Sequence, residues 1–65
     1  MIRIKVLRTT TGDSDRSGSC EAGDIGILAK ISTGSEERPM VWFFNERTKE
    51  LCIRHPYDIE YFEEK

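Results

Sequence analysis

Apolar side chains recur at every second position in two stretches of this chain, and that spacing closes off most of the folds open to so short a polypeptide. In IRIKV the aliphatics Ile2, Ile4 and Val6 alternate with Arg3 and Lys5; in DIGILAKIS, Ile25, Ile27, Ala29 and Ile31 keep the same step. Successive side chains of a strand point to opposite faces, so period two marks strands with one buried face. No stretch holds a 3.6-residue period over three turns, which removes helical bundles and leaves an all-β domain. Gly26 interrupts the second run, where a glycine marks a bulge or a close backbone approach.

Further along, MVWFF and ELCIRH supply two more short runs of sheet-favouring residues, with Leu51 and Ile53 on one side of the second. Pro56, Tyr57 and Asp58 suit a 3₁₀ turn, after which Ile59 and Tyr61 begin a last strand. Between the first two strands, Thr9 to Gly23 is Thr, Ser, Gly, Asp and Arg almost throughout, which is loop composition. Alternation predicts a core of Ile2, Ile4, Val6, Ile25, Ile27, Ile31, Val41, Phe43, Leu51, Ile53 and Ile59.

Five short strands with a long loop after the first describe a small barrel, in which closure removes bare sheet edges. EAGDIGILAKI resembles the diverging turn and second strand of a Src-homology-3-like (SH3-like) barrel, and RHPYDIEYF is similar to the proline, 3₁₀ turn and closing strand of that fold. The resemblance implies one domain over residues 1–65, a five-stranded, mostly antiparallel SH3-like β-barrel with a long first loop and a short 3₁₀ turn before the last strand. The polyproline-binding residues of signalling members are not matched. RTTTG follows the first strand where those domains place tyrosines, Trp42 sits mid-strand, and Asp58 precedes Ile59. GDIG and PMVWFF look more like the KOW, Tudor-like and short phage-encoded members of the superfold, and a superfold does not specify a function.

Sixty-five residues leave no room for a deep enclosed cleft, so a non-enzymatic binding module without a cofactor is expected. In the third strand, Val41 and Phe43 pointing inward would leave Met40, Trp42 and Phe44 on the opposite face, an aromatic patch with Arg3, Lys5, Arg47 and Arg54 as candidates for its rim. Tryptophan beside arginine is the composition of interaction hot spots, which points to a protein partner for this face and for the acidic long loop. The same surface read as KOW-like nucleic-acid binding would rest on Trp42, Arg3, Lys5 and Arg54, but the formal charge of −2 disfavours it. A third alternative is divalent-cation binding by DSDRSGSCEAGD. There Asp13, Asp15, Ser17, Glu21 and Asp24 occupy the places of EF-hand ligands and Gly18 the place of its glycine, although strands rather than helices flank the loop. Cys20, Cys52 and His55 are one ligand short of a structural zinc site, and the cysteines are expected as free thiols. No apolar run approaches the roughly 20 residues of a spanning helix, and no secretory signal is read at the N-terminus. The expectation is therefore a cytoplasmic monomer or weak homodimer away from the membrane.

Overall fold

The alternating runs become strands wherever their two faces meet different surroundings. The computed structural model describes residues 1–12, 16–33 and 39–63. Five strands are formed: β1 (Ile2–Val6), β2 (Ile25–Thr33), β3 (Pro39–Asn45), β4 (Glu50–Arg54) and β5 (Ile59–Glu63), with a 3₁₀ turn (Pro56–Asp58) before the last. All ladders are antiparallel and the strands lie in one sheet, in the order β4-β3-β2-β1-β5. No ladder joins β4 to β5 among the described residues. The closed barrel expected from the sequence is in this respect corrected to an open five-stranded sheet. No helix of the described residues is long and apolar enough to cross a membrane.

The inner face packs Ile4 and Val6 of β1, Val41 and Phe43 of β3, Cys52 of β4 and Ile59 of β5 with Cys20 from the long loop. Leu28 adds a half-buried flank. Five of the expected core positions lie here, Ile4, Val6, Val41, Phe43 and Ile59. The others do not, and two strands explain most of the difference.

On β2 the inward positions are Gly26 and Leu28, because Gly26 pairs with the buried Ile4 and Asn45. A Cβ on Gly26 would stand 2.5 Å from the Phe44 carbonyl oxygen and 2.7 Å from the Phe43 ring, so a bare backbone is what lets β2 pass over that ring. Ile25 and Ile27 accordingly turn outward and are only half-buried. The bulge falls further on, between Leu28 and Lys30, and Ile31 beyond it stands 55% exposed.

On β4, Phe43 pairs with Cys52 and Val41 with Arg54, so Leu51 and Ile53 take the outer face. Ile2, near the end of β1, is likewise exposed. Sequence patterning assigns the aliphatic pair of β4 to the core, whereas the fold places a thiol and a guanidinium there.

Arg54 is fully buried, and the long loop is what makes this tolerable. Its Nε donates to Thr10 Oγ1 (2.7 Å), Nη1 to the carbonyls of Ser17 (2.6 Å) and Ile53 (2.8 Å), and Nη2 to those of Gly18 (2.6 Å) and Thr10 (3.4 Å). A guanidinium has five N–H donors, and each finds an oxygen. The loop also lays Ser17 along β4, with Ser17 N–H to the Ile53 carbonyl (3.3 Å) and the reciprocal bond at 3.1 Å. Gly18 is needed at this junction: its φ is +79°, and a Cβ would stand 2.6 Å from the Cys52 sulfur.

Arg54→Lys keeps the charge but offers three donors from one atom, leaving buried carbonyls unpaired. At about 1–3 kcal/mol for each orphaned group, the loss takes much of the roughly 3–10 kcal/mol expected of a domain this size. Urea denaturation is expected to show a midpoint far below wild type for Arg54→Lys, and little folded protein for Arg54→Met.

Candidate functional site

The outer face of the sheet is read directly from the ladder register. Leu51 pairs with Phe44, Phe44 with Ile27, Ile27 with Arg3 and Arg3 with Phe62, so one row crosses all five strands. Leu51, Phe44 and Phe62 are exposed at 49, 38 and 39%, and Ile27 between them is half-buried. A parallel row sets Ile53 beside Trp42 and Trp42 beside Lys30.

Each sequence-predicted contact residue has a definite place on this frame. Phe44 lies at the centre of the exposed row. Trp42 is half-buried: Lys30 Nζ stands 4.3 Å from its ring centroid, and its indole N–H donates to Ser32 Oγ at 2.9 Å. Its polar edge and one face are thus already engaged. Met40 is buried at 8% exposure, a correction to the expectation that it shares the open face. Arg54 is withdrawn from the rim altogether, since the loop carbonyls hold it inside. Arg3 remains within the row, ion-paired with Glu46 of the β3–β4 turn, and Lys5 is exposed beside Ile25 and Glu60. Ile27, Leu51, Ile53 and Phe62 were not foreseen on this surface. The first three carry the same aliphatic signature as core residues, and no feature of sequence separates the two cases.

The loop residues are held by other work. Asp24, 8% exposed, accepts Arg47 Nε on Oδ1 (2.7 Å), and on Oδ2 the Arg47 Nη2 (2.9 Å), the Asn45 side-chain amide (3.0 Å) and the Glu21 N–H (2.9 Å). The Arg47 guanidinium, ahead of the amide and backbone donors, holds its carboxyl well below the usual carboxylate range. Arg47 is itself raised by the same pairing. Asn45 is fully buried and also accepts the Arg47 N–H at 3.0 Å, so the group locks the turn after the long loop to the β3–β4 turn.

As a calcium ligand, then, Asp24 is already saturated by protein donors. Asp13 and Asp15 lie outside the described residues, Glu21 is exposed, and Ser17 is bonded through its backbone to β4. Among the described residues, no group of three or more His, Cys, Asp or Glu side chains converges as a metal site would require.

Asp58 is a second buried carboxylate. It accepts Arg16 Nε at 2.9 Å, with Arg8 Nε 3.5 Å from its other oxygen, tying the start and the middle of the connection between β1 and β2 to the 3₁₀ turn. His55 is buried and stacks on Tyr57 with ring centroids 4.9 Å apart, and the Arg8 guanidinium lies 5.8 Å from the centroid of the same Tyr57 ring. Both cysteines are free and buried. Burial, with neighbouring Cys20 adding to it, pushes the Cys52 thiol up to about 12.

No protein-family model matches the chain, and no curated protein or solved structure is significantly similar to it.

Two outcomes follow from these groups. An Asp24 lowered in the fold stays ionised at pH values where the unfolded chain has taken up its proton. Its stabilisation is therefore complete above the unfolded carboxylate value of about 4 and declines as pH falls below it. Asp24→Asn is expected to cost about 1–3 kcal/mol at pH 7 and to flatten the acid limb of stability measured by chemical denaturation between pH 2 and 7. For Cys52, alkylation by iodoacetamide at pH 8 is expected only at the rate of opening of the fold, read by mass spectrometry against a urea-unfolded control.

Proposed function

We propose that this chain is a non-catalytic interaction module that binds another protein through the outer face of its sheet. The observation that supports this is the row Leu51, Phe44, Ile27, Arg3 and Phe62, in which apolar groups, exposed except for the half-buried Ile27, stand on either side of one ion-paired arginine. Aliphatic and aromatic side chains left open next to each other on a small domain mark a contact surface more often than scattered apolar groups do. Phe44 is its anchor, Leu51 and Ile27 flank it, and Trp42 with Lys30 forms a stiff border. Strand order, a long first loop and the 3₁₀ turn before β5 support placing the chain with SH3-like domains, so we carry that resemblance as part of the proposal.

Nucleic acid is the weaker partner. Of the cations considered for phosphate contact, Arg54 is buried on carbonyls and Arg3 is paired with Glu46, leaving Lys5 to meet a backbone from a chain of net charge −2. The long loop, in this view, serves the face indirectly by fixing β4.

Phe44→Lys places a charge in the middle of the row without disturbing an inner contact. In parallel affinity captures from the native source at fixed salt, the wild type is expected to retain a protein that Phe44→Lys loses, with both variants equally folded by circular dichroism. Retention of the same protein by both, or recovery only of nucleic acid whose binding falls steeply with salt, would remove this proposal.

A further inference from the structure

The two ends of the sheet are treated differently. At β4 the long loop pairs through Ser17 with Ile53, so this edge is partly closed by the chain itself. β5 is the other terminal strand and pairs only with β1 among the described residues.

Hydrogen-bond parity identifies which groups of β5 lie on its open side. Leu7 N–H bonds to the Asp58 carbonyl at 2.9 Å, and in an antiparallel ladder the bonded pairs alternate, so Lys5 with Glu60 and Arg3 with Phe62 are the bonded pairs that follow. On the other side of β1, Val6 N–H bonds to the Asp24 carbonyl, which fits the same alternation. The N–H and C=O of Ile59, Tyr61 and Glu63 therefore point away from β1. The side chains beside this edge are Glu60 and Phe62 on the outer face and Tyr61 and Glu63 on the inner, all exposed.

We propose that β5 accepts an added strand from a partner protein, an extended segment reading basic–apolar–apolar–basic opposite Glu60, Tyr61, Phe62 and Glu63. The backbone groups of Tyr61 and Glu63 supply the ladder. Tyr61 and Phe62, exposed on opposite faces, each give a neighbouring apolar side chain something to cover, and the two carboxylates select Lys or Arg at the ends. A second copy of this chain fits less well. Antiparallel self-pairing about Tyr61 sets Glu60 against Phe62 and Glu63 against Ile59, so that each carboxylate meets an apolar neighbour and gains no cation. This edge is independent of the outer-face proposal, with which it shares only Phe62.

The test is a titration of ¹⁵N-labelled protein with a synthetic peptide of sequence Thr-Lys-Val-Tyr-Lys-Thr, against a control carrying Glu in place of both Lys. Expected are amide shifts centred on residues 59–63 with the Lys peptide, and slowed hydrogen exchange at the Tyr61 and Glu63 amides. Tyr61→Pro removes an edge N–H and should abolish binding. Because that variant could also lose its fold, the double variant Glu60→Lys with Glu63→Lys provides a second reading, expected to invert the preference toward the Glu peptide by about tenfold. Phe44→Lys should leave the peptide affinity unchanged. Silence from both peptides would overturn the proposal, as would equal response to both. Concentration-dependent dimerisation in sedimentation equilibrium, abolished by Tyr61→Pro, would assign the edge to a second copy and also overturn it.

Discussion

One buried guanidinium holds the long loop of this molecule to its sheet. A loop with the composition of residues 9–23 has few apolar groups to bury, and most of its backbone polar groups cannot be satisfied within itself. Arg54 reaches three of those carbonyls, on Thr10, Ser17 and Gly18, and a threonine hydroxyl, while its own strand supplies a fourth carbonyl at Ile53. A buried cation is ordinarily costly. Here its acceptors among the described residues are fixed dipoles that would themselves be stranded without it, so cation and loop are each the other's condition for burial. Asp58 with Arg16 and Asp24 with Arg47 repeat the device at two other points along the loop. A loop that composition would leave mobile is thus fastened to β4, to the 3₁₀ turn and to the β3–β4 turn.

The strands whose phase the sequence states plainly are those in which only one set of alternate residues can be buried. In β1 the outward set is Arg3 and Lys5, and in the 3₁₀ turn and β5 proline, Ile59 and Glu60 leave little choice. β2 offers Ile25 and Ile27 in one phase and Gly26 and Leu28 in the other. Hydrophobicity favours the isoleucines, but the close pass over Phe43 requires the glycine, and packing distance outranks transfer energy there. β4 offers Leu51 and Ile53 against Cys52 and Arg54. Its true phase depends on carbonyls supplied from more than thirty residues away in sequence, which no local pattern contains. Phe44 and Trp42 could be placed on one face from β3 alone, since Val41 and Phe43 fix the other.

These two phase inversions also account for the candidate surface. Had the isoleucines of β2 and the aliphatics of β4 gone inward as their hydrophobicity suggests, Phe44 would stand among glycine, cysteine and arginine on the outer face. Because Gly26 and Arg54 are required inside, Ile27 and Leu51 are turned outward on either side of Phe44, and Ile53 beside Trp42. The apolar row is a consequence of how the interior is solved. Its position, centred on β3 and reaching Phe62 on β5, follows from the ladder register and needs no separate explanation.

That origin bears on how such a surface persists. An exposed apolar side chain with no structural reason to remain can be replaced by a polar one at little cost to stability, because surface substitutions away from special features change it by about half a kilocalorie per mole or less. Nothing in the interior of this domain requires Leu51 to be leucine or Phe44 to be phenylalanine. The inner face requires only that Cys52, Arg54 and Phe43 point the other way. The phase of the strands determines which positions face outward, while the identity of the residues there is left open by the fold. Aliphatic and aromatic residues stand at four of the five strands of one row, in a chain with 34% charged residues available to fill them, and the stability of this domain does not account for their identity; under the proposed function, contact with another molecule does.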